Sequence, residues 1–330
     1  MTTTDGRARV APELAPYLDY LPDLDFSQGM DAFRVPFADR PRAPLPAGLE
    51  VVAPEQRFIP GAPGSPDVRI LLYRPPGTHA APLPALLHLH GGGFVLGDPE
   101  INDASNRAMV LEHGCVVVSV DYRLAPETRF PGALEDGYAA LTWMHDHARE
   151  LGLDVARIAI AGESAGGGHA AALALYARDR SRKEGARKEG GGPAICFQLL
   201  DAPMLDDRTG ATTDPHPYCG QFVWSPDKNR FGWRALLGVE PGGPDVPDNA
   251  APARAQDLTD LPPTFIAVGA LDLFLEENLE FARRLARAGV AIELHVTPGA
   301  YHGSGIAQTA PQTLTTARLR NDALRRAFAK

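Results

Sequence analysis

Short apolar runs and amphipathic stretches alternate along most of this chain of 330 residues. The apolar runs have little or no polar face and end near Gly or Pro, which is typical of buried strands. These predicted strands are residues 68–73, 85–90, 115–120, 157–161, 195–200, 264–269 and 292–296. Apolar positions at helical spacing predict helices at residues 105–112, 131–147, 165–178, 275–288 and 312–328. The alternation predicts an α/β fold with a mostly parallel central sheet flanked by helices.

Two proline-rich segments interrupt this alternation. Residues 1–50 contain seven prolines and predict short helices broken by Pro. Residues 204–256 are too long for an ordinary connection, so they predict a cap inserted into a core made of residues 51–203 and 257–330. The charged, Gly-ended stretch 181–192 predicts an exposed loop.

The composition narrows the class of protein. The formal net charge is −9, with 44% hydrophobic and 22% charged residues. This balance is typical of a globular protein and argues against a nucleic-acid partner. No apolar run approaches a membrane span and the start lacks the apolar part of a signal peptide, so a cytoplasmic protein is expected. Cys115, Cys196 and Cys219 lack a CxxC spacing and predict free thiols without a metal.

The strongest chemical signal is G-E-S-A-G at residues 162–166, which matches G-x-S-x-G. It lies between a predicted strand and a predicted helix, the context in which this motif forms a tight turn that exposes a nucleophile. The glycines leave room for the turn, and the helix N-terminus favours negative charge beside Ser164. The alternative interpretation is an ordinary Gly-rich turn between strand and helix.

A serine nucleophile needs a base, and the base needs an acid that orients it. His302 follows the last predicted strand, where open α/β sheets gather their active residues. Three other histidines lie beyond Ser164 in less suitable positions: His169 on the next helix, His216 between two prolines, and His295 inside a strand.

Asp272 is the predicted acid, because it follows the predicted strand 264–269 at its C-terminal end. Asp260 precedes that strand and lies at the wrong end. Glu276 is the reserve candidate, and both Glu276 and Glu277 are expected in the next helix, on its solvent-facing turn.

H-G-G-G at residues 90–93 provides backbone N–H groups without side chains in the way. Together with the N–H of Ala165, such a loop stabilises the negative oxygen of a tetrahedral intermediate. A phosphate-binding loop is the alternative, but no Walker-type Lys or G-x-G-x-x-G spacing is present. Because HExxH and CxxC pairs are also missing, no metal or cofactor is expected.

Four motifs together resemble the hormone-sensitive-lipase-like family of bacterial esterases. They are H-G-G-G-F at residues 90–94, D-Y-R-L-A-P-E at 121–127, G-E-S-A-G-G at 162–167 and Y-H-G at 301–303. The resemblance covers the chain from about residue 51 to the C-terminus and implies an α/β-hydrolase fold. It also implies a catalytic triad of Ser164, Asp272 and His302.

The same resemblance implies further roles for individual residues. Gly92, Gly93 and Ala165 would form the oxyanion hole, while Gly91 would shape its loop. The cap would combine residues 1–50 with the insertion 204–256, and Arg123 and Glu127 would brace the active-site loops by ion pairing. Homodimers are common in the family. The chain departs from the family pattern at Ser304, where a bulky apolar residue is usual, and at D-L-F, residues 272–274.

These features predict a carboxylesterase for a small-molecule ester, with an amidase or a non-catalytic ligand-binding protein as alternatives. A binding protein has no need of all three triad residues, and a dehydratase of this family would be expected to lose the serine. Phe94, Phe222 and Trp224 are the predicted pocket residues. Further bulky residues are expected in the cap: Tyr17, Leu18, Phe26, Phe33, Phe231 and Trp233. The alternative is that most of these residues and of the cap aromatics Phe222 and Trp224, with Trp224 and Trp233 foremost, only hold the cap to the core. A finite apolar pocket predicts a preference for acyl chains of roughly two to eight carbons.

Overall fold

The structure is a computed structural model that describes residues 5–21, 25–26, 34, 44–184, 192–211 and 214–329. Within these ranges, eight strands form one sheet in the order β1-β2-β4-β3-β5-β6-β7-β8. The strands are β1 Glu55–Ile59, β2 Val68–Tyr73, β3 Leu83–Leu89, β4 Val116–Asp121, β5 Leu153–Glu163, β6 Phe197–Asp201, β7 Thr264–Gly269 and β8 Ile292–Thr297. The pairs β1–β2 and β2–β4 are antiparallel and the others are parallel. The mostly parallel sheet is therefore confirmed.

Strand β1 is the one element of the sheet that the hydrophobic pattern did not predict. It lies at the edge of the sheet, and of its five residues only Ile59 is buried. Because the strand is mostly solvated and charged, it lacks the apolar run that marks the other strands.

Helices cover both faces of the sheet, as predicted. The α-helices are α1 Asp103–His113, α2 Gly132–Asp146, α3 Ala148–Leu151, α4 Ala165–Glu184, α5 Pro226–Leu237, α6 Leu275–Arg287 and α7 Pro311–Phe328. Helices α2, α4 and α6 bury their apolar sides in one core, and α1 and α7 bury theirs in a second core on the other face. Leu141 of α2 and Leu324 of α7 are fully buried. Each such side chain stabilises the fold by about 1.5–3 kcal/mol.

The parallel part of the sheet positions the chemistry. Strands β3, β5, β7 and β8 all run in the same direction, so the segments that follow them emerge at one edge. The segments at this edge are the H-G-G-G loop, the turn at Ser164, and the loops that carry Asp272 and His302.

The insertion 204–256 contains helix α5, which the sequence pattern did not predict. Ser225 caps its N-terminus and accepts a hydrogen bond from the Lys228 backbone N–H at 3.4 Å, and Pro226 occupies the first helical position. Trp233 of α5 is fully buried against the active-site loops, in a cluster that also contains Phe26 from the N-terminal segment. The described parts of both proline-rich segments therefore pack on the same side of the core, which is consistent with a two-part cap.

Three predictions lie partly or wholly outside the described residues. They concern Phe33, the N-terminal segment 1–50, and the charged loop 181–192, of which residues 185–191 are not described. Residues 181–184 form the last turn of helix α4, so the loop prediction was wrong there. Among the described residues, no helix is both long and apolar enough to cross a membrane.

Candidate active site

Ser164 lies on a strained turn between β5 and α4. Its φ is 54°, in the left-handed region that side chains rarely adopt. Three backbone hydrogen bonds hold it there: the Ser164 N–H donates to Asp201 O at 2.8 Å, and its carbonyl accepts from Gly168 and Met204 N–H at 3.0 Å each. A side chain at Gly166 would overlap the Leu89 carbonyl, so only glycine fits there. The surrounding contacts thus maintain the strain that exposes the hydroxyl.

The structure brings the three predicted triad residues into one line of contacts. Ser164 Oγ lies 3.0 Å from His302 Nε2, and His302 Nδ1 lies 2.8 Å from Asp272 Oδ2. A carboxylate can only accept, so Nδ1 carries the proton and Nε2 faces the serine as an acceptor. The geometry therefore allows His302 to take the Ser164 proton.

Burial and local contacts orient Asp272 and His302. Asp272 is 1% exposed, and its other carboxylate oxygen accepts the Phe274 backbone N–H at 3.0 Å. The Phe274 ring lies edge-on to the His302 ring, with 5.2 Å between centroids. Burial lowers the pKa of His302, but the charge and hydrogen bond of Asp272, together with the charge of Asp201, outweigh burial and hold this pKa above its ordinary value.

The H-G-G-G loop after β3 lies directly against the nucleophile turn. A Cβ built on Gly91 would lie 3.1 Å from Glu163 O and 3.6 Å from Ser164 Cβ. Gly92 and Gly93 both have positive φ, of 139° and 60°. The Gly92 carbonyl accepts backbone N–H groups of Val95 and Leu96, at 3.1 and 2.9 Å, so it closes a tight loop. The structure thus places Gly91 of the loop against the Ser164 turn.

Arg123 and Glu127 each form ion pairs, with separate partners. Arg123 contacts the buried Asp136 at 2.8 Å and also donates its backbone N–H to that carboxylate. Glu127 pairs with Arg34 at 2.7 Å.

Arg34 contacts two loops beside the active site, and sequence reasoning missed it. It comes from the N-terminal segment and donates to Val95 O at 3.0 Å and Ala125 O at 2.6 Å. These two carbonyls belong to the loops that follow H-G-G-G and precede Pro126. No motif surrounds Arg34, and its partners lie 61 and 91 residues away, so only the folded chain reveals the contact.

The three predicted pocket residues occupy different depths. Trp224 is closest to the chemistry, since its ring lies 6.4 Å from the His302 ring and a Cβ on Gly93 would overlap it. Phe222 is half-buried and packs on Tyr301. Phe94 is only 2% exposed and packs on His169 and Trp233 beneath the loop, where it has little surface to offer a substrate.

The histidines that the sequence argument set aside all lie in other settings. His169 is buried against Phe94 and Tyr122, and burial lowers its pKa to about 3. His216 accepts the backbone N–H groups of Tyr218 and Cys219. His295 lies within β8, paired in register with Ala267 of β7.

The prediction for Glu277 was wrong. Glu276 is exposed on α6 as expected, but Glu277 is buried and its carboxylate accepts hydrogen bonds from the Leu205 backbone N–H, at 2.6 Å, and from the Thr209 hydroxyl. Burial raises the pKa of Glu277 well above its ordinary value. Glu277 therefore joins α6 to the start of the insertion.

A polar cleft of about 420 Å³ lies away from Ser164, between the insertion and α6. Its charged residues largely satisfy one another or the backbone: Arg208 pairs with Asp206, Arg254 with Asp207, and Arg284 with backbone carbonyls. The cleft therefore has no reactive group comparable to Ser164.

The three cysteines are free thiols, as predicted. Burial raises the pKa of Cys115 and Cys219 to about 12 each. Within the described ranges, no three His, Cys, Asp or Glu side chains are grouped so that they could hold a metal ion.

A strand-turn-helix nucleophile, a histidine and an acid at the carboxyl edge of a parallel sheet define the α/β-hydrolase class. A family model described as an alpha/beta hydrolase fold matches residues 86–305, and the chain belongs to this family. The predicted resemblance is thereby confirmed.

Named relatives are similar over almost the whole chain. Esterase LipI of Mycobacterium tuberculosis (strain ATCC 25618 / H37Rv) is 36% identical over 91% of this chain and 89% of its own length. Carboxylesterase NlhH of the same strain is 34% identical over 91% of this chain and 90% of its own. Among solved structures, a bacterial heroin esterase superposes with a TM-score of 0.88 and 40% identity, covering 98% of this chain and 99% of that one.

Proposed function

We propose that this protein hydrolyses short- to medium-chain acyl esters through a covalent acyl-enzyme on Ser164. The observation that supports the proposal is the unbroken line of contacts from Ser164 through His302 to Asp272. The enzyme class follows from the family and from the esterases that the chain resembles along nearly its full length. The protein is a carboxylic ester hydrolase.

In the first half-reaction, Ser164 Oγ attacks the ester carbonyl carbon while His302 Nε2 accepts the hydroxyl proton. The carbonyl oxygen becomes an oxyanion, which the backbone N–H groups of Gly92, Gly93 and Ala165 stabilise. Each such donor contributes roughly 3–4 kcal/mol in related hydrolases. Collapse of the intermediate breaks the bond to the alcohol, and His302 returns its proton to the departing oxygen.

In the second half-reaction, water replaces the alcohol. His302 accepts a proton from this water as its oxygen attacks the acyl carbon, and a second oxyanion forms in the same hole. When that intermediate collapses, the bond to Ser164 Oγ breaks, the carboxylic acid leaves, and the proton returns to the serine. Asp272 holds the His302 tautomer throughout and stabilises the imidazolium that forms twice per cycle.

The aromatic residues above Ser164 support a substrate of limited size. Trp224 is 5% exposed, and its indole N–H donates to Asn229 at 3.1 Å, which fixes the ring beside Gly93. Phe26 lies edge-on to Trp224 and stacks on Phe231. We therefore expect this packed aromatic wall to accept short acyl chains and to be distorted by long ones.

The test compares p-nitrophenyl butyrate with the matching p-nitroanilide, using the wild-type protein and Ser164→Ala. We expect rapid ester hydrolysis, much slower anilide hydrolysis, and loss of both in Ser164→Ala with an unchanged melting temperature. Faster turnover of the anilide would make the protein an amidase. Saturable binding of the ester without turnover would make it a binding protein. Full ester turnover by purified Ser164→Ala would refute the role of the serine.

A further inference from the structure

A second histidine–carboxylate pair lies behind the nucleophile turn. His88 is 2% exposed; its Nε2 lies 3.0 Å from Glu163 Oε2 and its Nδ1 lies 3.0 Å from Ser119 Oγ. Because the carboxylate can only accept, His88 Nε2 must donate this hydrogen bond. Although the residue types repeat those of a triad, Ser119 is fully buried within β4, so no substrate can reach it.

The pair joins the two strands that carry the two halves of the oxyanion hole. His88 lies on β3, two residues before His90, where the H-G-G-G loop begins. Glu163 is the last residue of β5 and directly precedes Ser164 and Ala165. The Glu163 backbone also faces the loop, since a Cβ on Gly91 would lie 3.1 Å from its carbonyl oxygen.

The backbone pairing between β3 and β5 ends before His90 and Glu163. The β3–β5 pairing ends with Leu89 opposite Gly162, one residue short of both His90 and Glu163. Beyond it, the Tyr122 hydroxyl donates to the His90 carbonyl at 2.6 Å, but Tyr122 follows β4, so this hydrogen bond ties His90 to the end of β4. The His88–Glu163 hydrogen bond is therefore a side-chain link between β3 and β5 next to the point where their ladder stops.

Nearby groups favour the ionised carboxylate of Glu163, which accepts the hydrogen bond from His88. Burial raises the pKa of Glu163, but the electrostatic interaction and hydrogen bond with His88, together with the positive charge of Arg320, outweigh burial, so this pKa lies below its ordinary value. The Glu163 side chain is about one-third exposed and borders a cavity of about 20 Å³ shared with Asp201 and Arg320. A cavity of this size has room for about one water molecule, which can solvate the charge.

We propose that His88 and Glu163 are positioning residues that fix the distance between the H-G-G-G loop and the Ser164 turn. The inference rests on the proposed function, because the oxyanion forms only when a substrate reacts there. Donors from two separate loops must converge on one oxygen, and a small misplacement of either loop weakens the stabilisation of the transition state. Loss of the link should therefore lower kcat and leave KM nearly unchanged.

The experiment measures kcat and KM for p-nitrophenyl butyrate in His88→Phe, Glu163→Met and the double variant. We expect each single variant to lose about tenfold in kcat, with KM within about twofold of wild type. The double variant should lose no more than either single one, because the same link is broken once. Replacing both partners with apolar groups leaves no unpaired Glu163 carboxylate, and of the groups in this link only the Ser119 hydroxyl loses its partner. The double variant therefore tests the link if a single variant fails to fold.

Three further measurements separate positioning from general destabilisation. Glu163→Gln keeps an oxygen that can accept from His88, so its kcat should stay within about threefold of wild type. Tyr73→Phe is the matched control: it removes another buried hydrogen bond on the same face of the sheet, to Asp103 at 3.0 Å, and should lower stability without lowering kcat. Butylboronic acid forms a tetrahedral adduct that resembles the transition state. Its inhibition constant should rise in His88→Phe as kcat/KM falls.

The outcomes distinguish this inference from the proposed function. Additive losses in the double variant, a rise in KM at constant kcat, or a Glu163→Gln variant as impaired as Glu163→Met would each overturn the link. If wild type turns over ester through Ser164 while His88→Phe and Glu163→Met match it, only the positioning role fails. If wild type shows no Ser164-dependent turnover, the proposed function itself fails.

Discussion

The hydroxyl of Ser164 is a weak nucleophile at neutral pH until a base accepts its proton. The identity of that base and its acid could be predicted, because motif and chain order place Ser164, Asp272 and His302 at strand ends along one sheet edge. Side chains whose role depends on partners distant in sequence could not be predicted. The sequence predicted a solvent-facing Glu277. In the fold, Glu277 instead accepts a hydrogen bond from the Leu205 N–H, 72 residues away in the chain.

At this scale, Asp272→Asn tests how the acid acts. The amide no longer enforces the tautomer with Nε2 free to face Ser164, and it no longer stabilises the imidazolium. We expect kcat for p-nitrophenyl butyrate to fall about 10⁴-fold, as in proteases with the same triad. The matched control is Glu276→Gln, an exposed carboxylate on the helix that follows, which should leave kcat within about twofold. A loss of less than about tenfold in Asp272→Asn would place the acid elsewhere.

The pH dependence of kcat/KM reports His302 directly. Since only neutral His302 can accept the serine proton, activity should rise with pH and reach half its plateau above the ordinary histidine value of 6.5, because Asp272 raises this pKa. The same shift means that His302 stabilises the fold below its ordinary pKa, and that this contribution disappears as pH rises through the raised pKa. A half-maximal activity at a pH below 6.5 would contradict the conclusion that the pKa of His302 is raised.

At the scale of elements, the buried strands and long helices were predictable because their apolar patterns are strong. The last predicted strand, residues 292–296, is β8 with one residue added. Strand β1 and helix α5 were not predicted. Strand β1 is mostly exposed, and α5 lies in a proline-rich segment where helix formation depends on packing. The shape of the H-G-G-G loop likewise depends on contacts with Trp224 and Ser164.

Gly93→Ala tests whether this loop must keep its backbone shape. Its φ of 60° disfavours a side chain, and the new methyl group would overlap the Trp224 ring. If this overlap displaces the loop and removes one oxyanion donor, kcat should fall by about 10²–10³-fold. Gly243→Ala is the control, because the nearest neighbour of its Cβ would be the Glu240 carbonyl oxygen 4.0 Å away, and it should behave like wild type. Equal activity in both variants would show that the loop shape does not matter for turnover.

For the whole molecule, we propose that the cap determines which esters reach Ser164. The N-terminal segment contributes Phe26 and Arg34, and the insertion contributes Trp224 and Phe231, so two distant parts of the chain build one cover. The insertion could be located from its length and prolines. Its contacts could not, because they join parts of the chain about 200 residues apart whose sequences show no shared pattern.

This arrangement predicts a limit on acyl length. Specific activity on p-nitrophenyl esters should rise over the first few carbons, at about 0.8 kcal/mol per buried CH₂, and fall beyond about C8. Trp224→Leu should move the maximum to longer chains, since it shortens the wall beside Gly93, while Phe58→Leu on the exposed edge strand should leave the profile unchanged. Higher specific activity on triolein emulsion than on p-nitrophenyl butyrate would contradict this account.

The central claim is that catalysis passes through an acyl-enzyme on Ser164. The most direct test mixes the protein with excess p-nitrophenyl butyrate, quenches in acid within the first turnovers, and maps the modified peptide by mass spectrometry. We expect a burst of p-nitrophenol and a butyryl group on Ser164, with neither in Ser164→Ala. A butyryl group on another residue that turns over at the rate of catalysis, or full activity in Ser164→Ala, would contradict the account.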